Sequence, residues 1–224
     1  MVDSEILCKF ATDILTAVNI RNSRIEPIGL VYLFERSPNL AKVVVTNSHT
    51  FTDDVLKSIS KLEHLGYLDI SVLRSAAFSS DGIEGLFKGA AMAGLARLIL
   101  RGCTVLTDQH LLCLSRNANN IVELDCEGSF QVGNVGLQAV LSLPKLQILN
   151  ISYCWKITDD GWDMPMATPT LQIVSMQFCY QLTGRIVPKL KRCLTGKCFV
   201  DLSHCDFVTS ADKLELEKFG LDVS

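Results

Sequence analysis

The chain lacks a basic excess, a long apolar run and any paired-cysteine motif. Its 224 residues carry 21 Lys and Arg against 24 Asp and Glu, a formal net charge of −3. Binders of nucleic acid or of anionic membranes need surplus positive charge, so neither class is expected. No stretch approaches the roughly 18 consecutive apolar residues of a membrane span. Histidine is scarce, and His49, His64, His110 and His204 have no metal-ligand spacing. Cys193 and Cys198 find no second pair to complete a zinc site. The segment "DGIEGLFKGAAMAG" has neither the GxGxxG order nor the GK[ST] ending of a phosphate-binding loop. The chain is therefore expected not to be an enzyme, and to use no cofactor and no metal. The opening "MVDSEILCKFATDIL" has two acidic residues among its first five and no Arg, unlike a secretory signal or transit peptide.

What is present is the composition of a globular protein, 48% hydrophobic and 20% charged, long enough for a sizeable core. Nine cysteines are many, but their number is odd and no CxxC occurs. They are expected as reduced thiols of an intracellular protein, cytoplasmic or nuclear, with a mitochondrial or axonemal site left open.

The cysteines also mark a repeat. Aligning apolar residues divides the chain into eight segments beginning at Leu15, Leu40, Leu65, Leu95, Ile121, Leu146, Leu171 and Lys197. Apolar residues recur at the first, fourth and sixth places, as in Leu146, Leu149 and Ile151. The ninth place holds Ser23, Ser48, Cys103, Ser129, Cys154, Cys179 and Cys205, with Leu73 the exception. An apolar residue and Thr-Asp or a relative follow, as in "FTDD", "LTDQ" and "ITDD". Alternation at the fourth and sixth places predicts a short strand with one buried face. Thr before Asp predicts a helix N-terminus, where a hydroxyl caps and a negative charge is favoured. One such unit cannot bury its own apolar face. Stacked units can, with a parallel sheet on the concave side and helices on the convex side.

This pattern, over about residues 15–210, resembles the leucine-rich repeat, specifically the cysteine-containing subtype of F-box proteins and the related antagonist-of-mitotic-exit proteins. The resemblance implies an α/β horseshoe solenoid of about eight repeats. It also implies a non-enzymatic protein–protein interaction module, of the substrate-recognition or adaptor type found in ubiquitin ligases. Residues 1–14 are too few for an F-box. The alternative is a structural subunit of a large assembly, as with similar short repeat proteins of axonemes or mitochondrial ATP-synthase-associated factors.

The repeat domain is expected over residues 15–205, between an N-terminal capping helix at 1–14 and a C-terminal capping segment at 206–224. Ile6, Leu7, Phe10 and Ile14 have helical spacing suited to covering the open core. Repeat three carries about five extra residues, predicting a longer loop or extended helix. "DMPMATPT" in repeat six predicts an irregular connection, since Pro165 and Pro169 oppose a helix.

In this fold the third, fifth, seventh and eighth places face the concave surface. Repeats one to four then expose Arg21, Lys42, Arg97 and Arg101, with Tyr67 and Asp69 among them. Repeat five exposes an acidic band, Glu123, Asp125 and Glu127. Repeats six to eight expose two apolar rows, Ile148, Ile173 and Phe199 beside Tyr153, Phe178 and His204. The rows are the expected contact for a protein partner, with the acidic band as a polar rim.

Overall fold

The computed structural model describes residues 9–21, 25–46, 51–71, 78–164, 168–194 and 197–224. Among the described residues nine short strands run in sequence order through one parallel sheet. They are β1 (Ala17–Arg21), β2 (Lys42–Thr46), β3 (Tyr67–Asp69), β4 (Arg97–Ile99), β5 (Glu123–Asp125), β6 (Ile148–Asn150), β7 (Ile173–Ser175), β8 (Phe199–Asp201) and β9 (Asp222–Val223). Eight of them are the predicted repeat strands. The ninth comes from the segment expected only as a terminal cap: after the helix Ser210–Phe219 the chain returns and pairs Asp222 with Phe199.

Register carries the repeat across the sheet. Third places pair from strand to strand, Arg97 with Glu123, Glu123 with Ile148, Ile148 with Ile173 and Ile173 with Phe199. The fourth-place residues Val43, Leu68, Leu98, Leu124, Leu149, Val174 and Val200 are fully buried under it. Burying each such side chain stabilises by about 1.5–3 kcal/mol, so the column is a main source of cohesion between repeats. Repeat one is looser, with Leu15 and Val18 only partly buried. Phe10 and Ile14, expected to cover the core at that end, are exposed, while Ile6 and Leu7 lie outside the described residues.

Helices form the other layer. Those of repeats one to five span Pro27–Arg36, Asp53–Ile59, Ser80–Phe87, Asp108–Asn117 and Asn134–Leu141, and that of repeat seven Ile186–Cys193. In repeat three the helix is followed by a 3-10 turn, Ala90–Ala93, which takes up part of the added length. Repeat six has a 3-10 turn, Asp159–Trp162, where its neighbours have an α-helix. Thr107 and Thr209 each cap a helix through a reciprocal capping box. Asp108 and Asp159, which follow threonines, and Asn134 at the matching place do more than start a helix. Asp108 Oδ1 accepts a hydrogen bond from Gly133 N at 2.7 Å, Asn134 Oδ1 from Thr158 N at 2.9 Å, and Asp159 Oδ1 from Thr183 N at 2.9 Å. Each therefore ties its own helix start to that of the next repeat. Gly136 leaves room for this, since a Cβ there would lie 2.5 Å from Asp108 Oδ1. No helix among the described residues is long and apolar enough to cross a membrane.

Candidate interaction surface

The site begins at the end of each strand. A fifth-place side chain accepts from the backbone N–H two residues on: Asp69 from Ser71, Asp125 from Glu127, Asn150 from Ser152 and Asp201 from Ser203. This ends the strand and turns the chain into the eighth place, where the backbone is left-handed. Gly102 and Gly128 both have φ 71°. Tyr153, Phe178 and His204 adopt the same conformation at φ 60°, 56° and 60°. For an L residue this costs roughly 1–2 kcal/mol, and bulky rings such as Tyr and Phe rarely bear it. In four of these turns the eighth-place N–H donates to the seventh-place carbonyl of the next repeat: Gly102 to Glu127, Gly128 to Ser152, Tyr153 to Gln177 and Phe178 to Ser203. The ninth place then turns inward. Cys103, Ser129, Cys154, Cys179 and Cys205 are all buried, whereas Ser23, Ser48 and Leu73 lie outside the described residues. Cys154, Cys179 and Cys205 donate their S–H to the sixth-place carbonyls of the preceding repeat, Cys126, Ile151 and Met176.

The turn thus fans the eighth-place side chains out as the ninth packs in. Tyr153 and Phe178 stack with ring centroids 4.4 Å apart and planes 11° from parallel. Phe178 and His204 stack at 4.2 Å and 12°. Beside this stack the paired third places bring Ile148, Ile173 and Phe199 into a second row, with Ile173 38% exposed. The structure brings both rows together. A third row went unrecognised in the sequence: the tenth-place residues Phe130, Trp155 and Tyr180 are all exposed. Phe130 stacks on Trp155 at 4.4 Å, and Tyr180 meets Phe178 edge-on. Their spacing of 25 residues was the available signal.

The charged residues are used differently from expectation. Asp125 is only 4% exposed, and its carboxylate accepts from Arg101 Nε at 2.7 Å and from Asn150 Nδ2 at 3.2 Å. It belongs to the strand end, not to a solvent-facing rim. Arg97 pairs with Glu123 at 3.4 Å, and Arg101 also approaches Glu127 at 3.7 Å. Burial works most strongly against the Arg101 charge, but the hydrogen bond it donates to Asp125 and the nearby Asp125, Glu127 and Asp69 carboxylates together raise its pKa. Those two arginines are therefore engaged within the chain. Lys42 lies over the Tyr67 ring at 4.8 Å. At Asp201 burial opposes the charge, yet hydrogen bonds from Ser203 and Gln177 hold the pKa below the ordinary carboxylate value. His110 is buried and satisfied: Nδ1 accepts from Thr107 N and Nε2 faces the Ser80 carbonyl, cross-linking two repeats. Among the described residues no group of three or more His, Cys, Asp or Glu is placed to hold a metal ion.

The family model for the leucine rich repeat matches residues 142–162. That window holds the strand β6, the ring turn at Tyr153 and the buried Cys154. The fold is a leucine-rich repeat solenoid. Among solved structures, the solenoid is similar to a chain in the crystal structure of the Rad7 and Elc1 complex in yeast. The TM-score is 0.56 at 16% identity, over 99% of this chain and 71% of that one. At that identity the likeness concerns the fold.

Proposed function

We propose that the solenoid is a non-enzymatic protein-interaction module whose contact surface is the aromatic and aliphatic face of repeats six to eight. The observation that carries this reading is the left-handed backbone of Tyr153, Phe178 and His204. Repeats four and five make the same turn with glycine and no strain. Three consecutive rings held at an energetic cost, beside exposed Ile173, are what a binding face requires and a mere turn does not. Covering roughly 300 Å² of apolar surface would yield about 7 kcal/mol gross. Lost rotational and translational freedom offsets much of it, so additional contacts outside the rows contribute to affinity.

In its finer form the proposal is a recognition or adaptor subunit, similar to the repeat domains of F-box proteins. The likeness to a chain of the Rad7 and Elc1 complex supports this, because that chain was solved with a protein partner. A second reading, a structural subunit of a large assembly, draws support from Phe10, Ile14 and Ile28, which expose apolar surface away from the three rows. The buried thiols favour a reducing compartment for either role.

The test is affinity capture with wild type and with the double variant Ile173→Asp, Phe199→Asp, after melting temperature and dichroism are shown to match. Loss of the wild-type partner is expected. Full retention would overturn the surface. The identity of what is captured separates the two forms: a cullin-adaptor set supports recognition, a stoichiometric machine supports the structural role.

A further inference from the structure

The ring stack ends at Tyr153 on the side of repeat five. Its members lie nearly parallel along the solenoid, so the outer face of Tyr153 looks toward repeat five. The eighth place of that repeat is Gly128, hydrogen-bonded through its N–H to Ser152, the neighbour of Tyr153. Beyond its two chain neighbours, a Cβ built on Gly128 would meet the backbone of Gly102 within 4 Å. The next position of the stack is thus floored by glycine, and among the described residues Phe178 is the ring stacked on Tyr153. No cation of the described chain lies over Tyr153, although three such pairs occur elsewhere.

The neighbouring charge is negative. Glu127 directly precedes Gly128, and its carboxylate makes its contacts through Oε2 only, with Asn150 at 3.3 Å and Arg101 at 3.7 Å. Arg101 is shared with Asp125, so two carboxylates face one guanidinium. At the other end of the stack, the concave places of repeats six to eight carry Asp201 and no Lys or Arg.

We infer that the open face of Tyr153 is a docking slot for an arginine side chain of the protein partner. This rests on the contact surface proposed above. A guanidinium is planar and cationic, so it can continue a parallel ring stack while its edge donates to Glu127. A lysine ammonium fits the charge but not the slot's shape. An aromatic residue fits the shape but adds no positive charge to the two carboxylates that share Arg101.

The probe is a blocked Leu-Arg-Leu tripeptide, titrated against the whole protein while the Tyr153 ring and Gly128 amide resonances are followed. Its citrulline counterpart has the same shape without the charge. The arginine peptide is expected to shift both resonances saturably in the millimolar range, about threefold to thirtyfold more tightly than the citrulline peptide. Tyr153→Gly should abolish the shift at Gly128 while keeping the fold, since glycine already serves this place in repeats four and five. Glu127→Gln should weaken binding. Equal binding of both peptides, or no shift at Tyr153 at millimolar peptide, overturns the slot. The two proposals fail separately. If Tyr153→Gly captures the partner as wild type does and the double aspartate variant does not, the slot falls and the surface stands.

Discussion

At Ser129 a hydroxyl stands where Cys154, Cys179 and Cys205 place thiols that donate to the preceding repeat. The three sulfurs sit 3.5, 3.3 and 3.1 Å from their carbonyls, whereas the buried Ser129 Oγ has no partner. The longer C–S bond reaches across the stacked turns and the shorter C–O bond does not. Ser129→Cys should therefore raise stability by about 1 kcal/mol, read as a higher denaturant midpoint at unchanged slope. Burial also decides how these thiols ionise. It pushes Cys103 up to about 11 and Cys154 up to about 12, from an ordinary value of about 8.5. Between those limits the folded chain keeps protons that the unfolded chain has lost. Stability should thus be flat below about pH 8 and fall as pH rises through 9 to 11, visible in urea midpoints taken across that range. A flat profile would mean the thiols are wetter than the packing implies. Denatured, unreduced protein should titrate close to all nine cysteines, and seven or fewer would contradict free thiols. Cysteine at the turn was legible from its periodic place. A weak hydrogen bond at the bend was also expected, but its acceptor was not legible, because it lies on another repeat.

Among the elements, the helix starts show how local rules and stacking divide the work. Thr107 and Asp108 read as the beginning of a helix, and they are one. That rule is local, so it gives no hint that Asp108 also holds Gly133 in the following repeat. Asp108→Ala should leave the Gly133 N–H without its acceptor and cost about 2 kcal/mol, more than loss of an exposed helix-dipole charge. Gly136→Ala should cost a similar amount by driving a methyl against the same carboxylate. Thermal melts of both variants and of the double variant test this. The two losses share one partner and should add to less than their sum. Repeat six shows the same limit. Pro165 lies outside the described residues, and nothing local indicated that Lys189 would reach back from the next helix to both Asp160 and Asp163.

Across the whole molecule, the concave surface changes character midway. Its first half is a set of internally paired charges, Arg97 with Glu123 and Arg101 with Asp125. Its second half is apolar and ringed. Strand register, the two apolar rows and the inward ninth place all followed from a 25-residue period, because periodicity determines which residues share a column. The pairing of charges between columns did not follow, since neighbouring repeats must first be placed side by side. Asp125 was misjudged for that reason: its position faces the concave side, but a turn hydrogen bond and Arg101 bury it. The strain at Tyr153, Phe178 and His204 was half-legible in Gly102 and Gly128, which occupy the same place. Raising ionic strength should leave partner capture through the rows largely intact and weaken any component carried by Glu127, since screening acts on exposed charges over about 10 Å at 0.1 M salt.

The two tryptophans lie on opposite sides of this architecture. Trp162 is wholly enclosed in the core behind repeat six, its indole N–H unpaired. Trp155 is 45% exposed, stacked on Phe130 at the rim of the ring turns. Intrinsic fluorescence therefore separates into two independent signals. With Trp162→Phe, the remaining emission should be that of a wet indole and shift to shorter wavelength when the partner covers the rim. With Trp155→Phe, it should be that of a dry indole, silent to the partner and lost only when the solenoid unfolds. If both variants respond alike to the partner, binding reaches into the core of repeat six, and the surface is not the rigid platform its hydrogen-bonded turns describe.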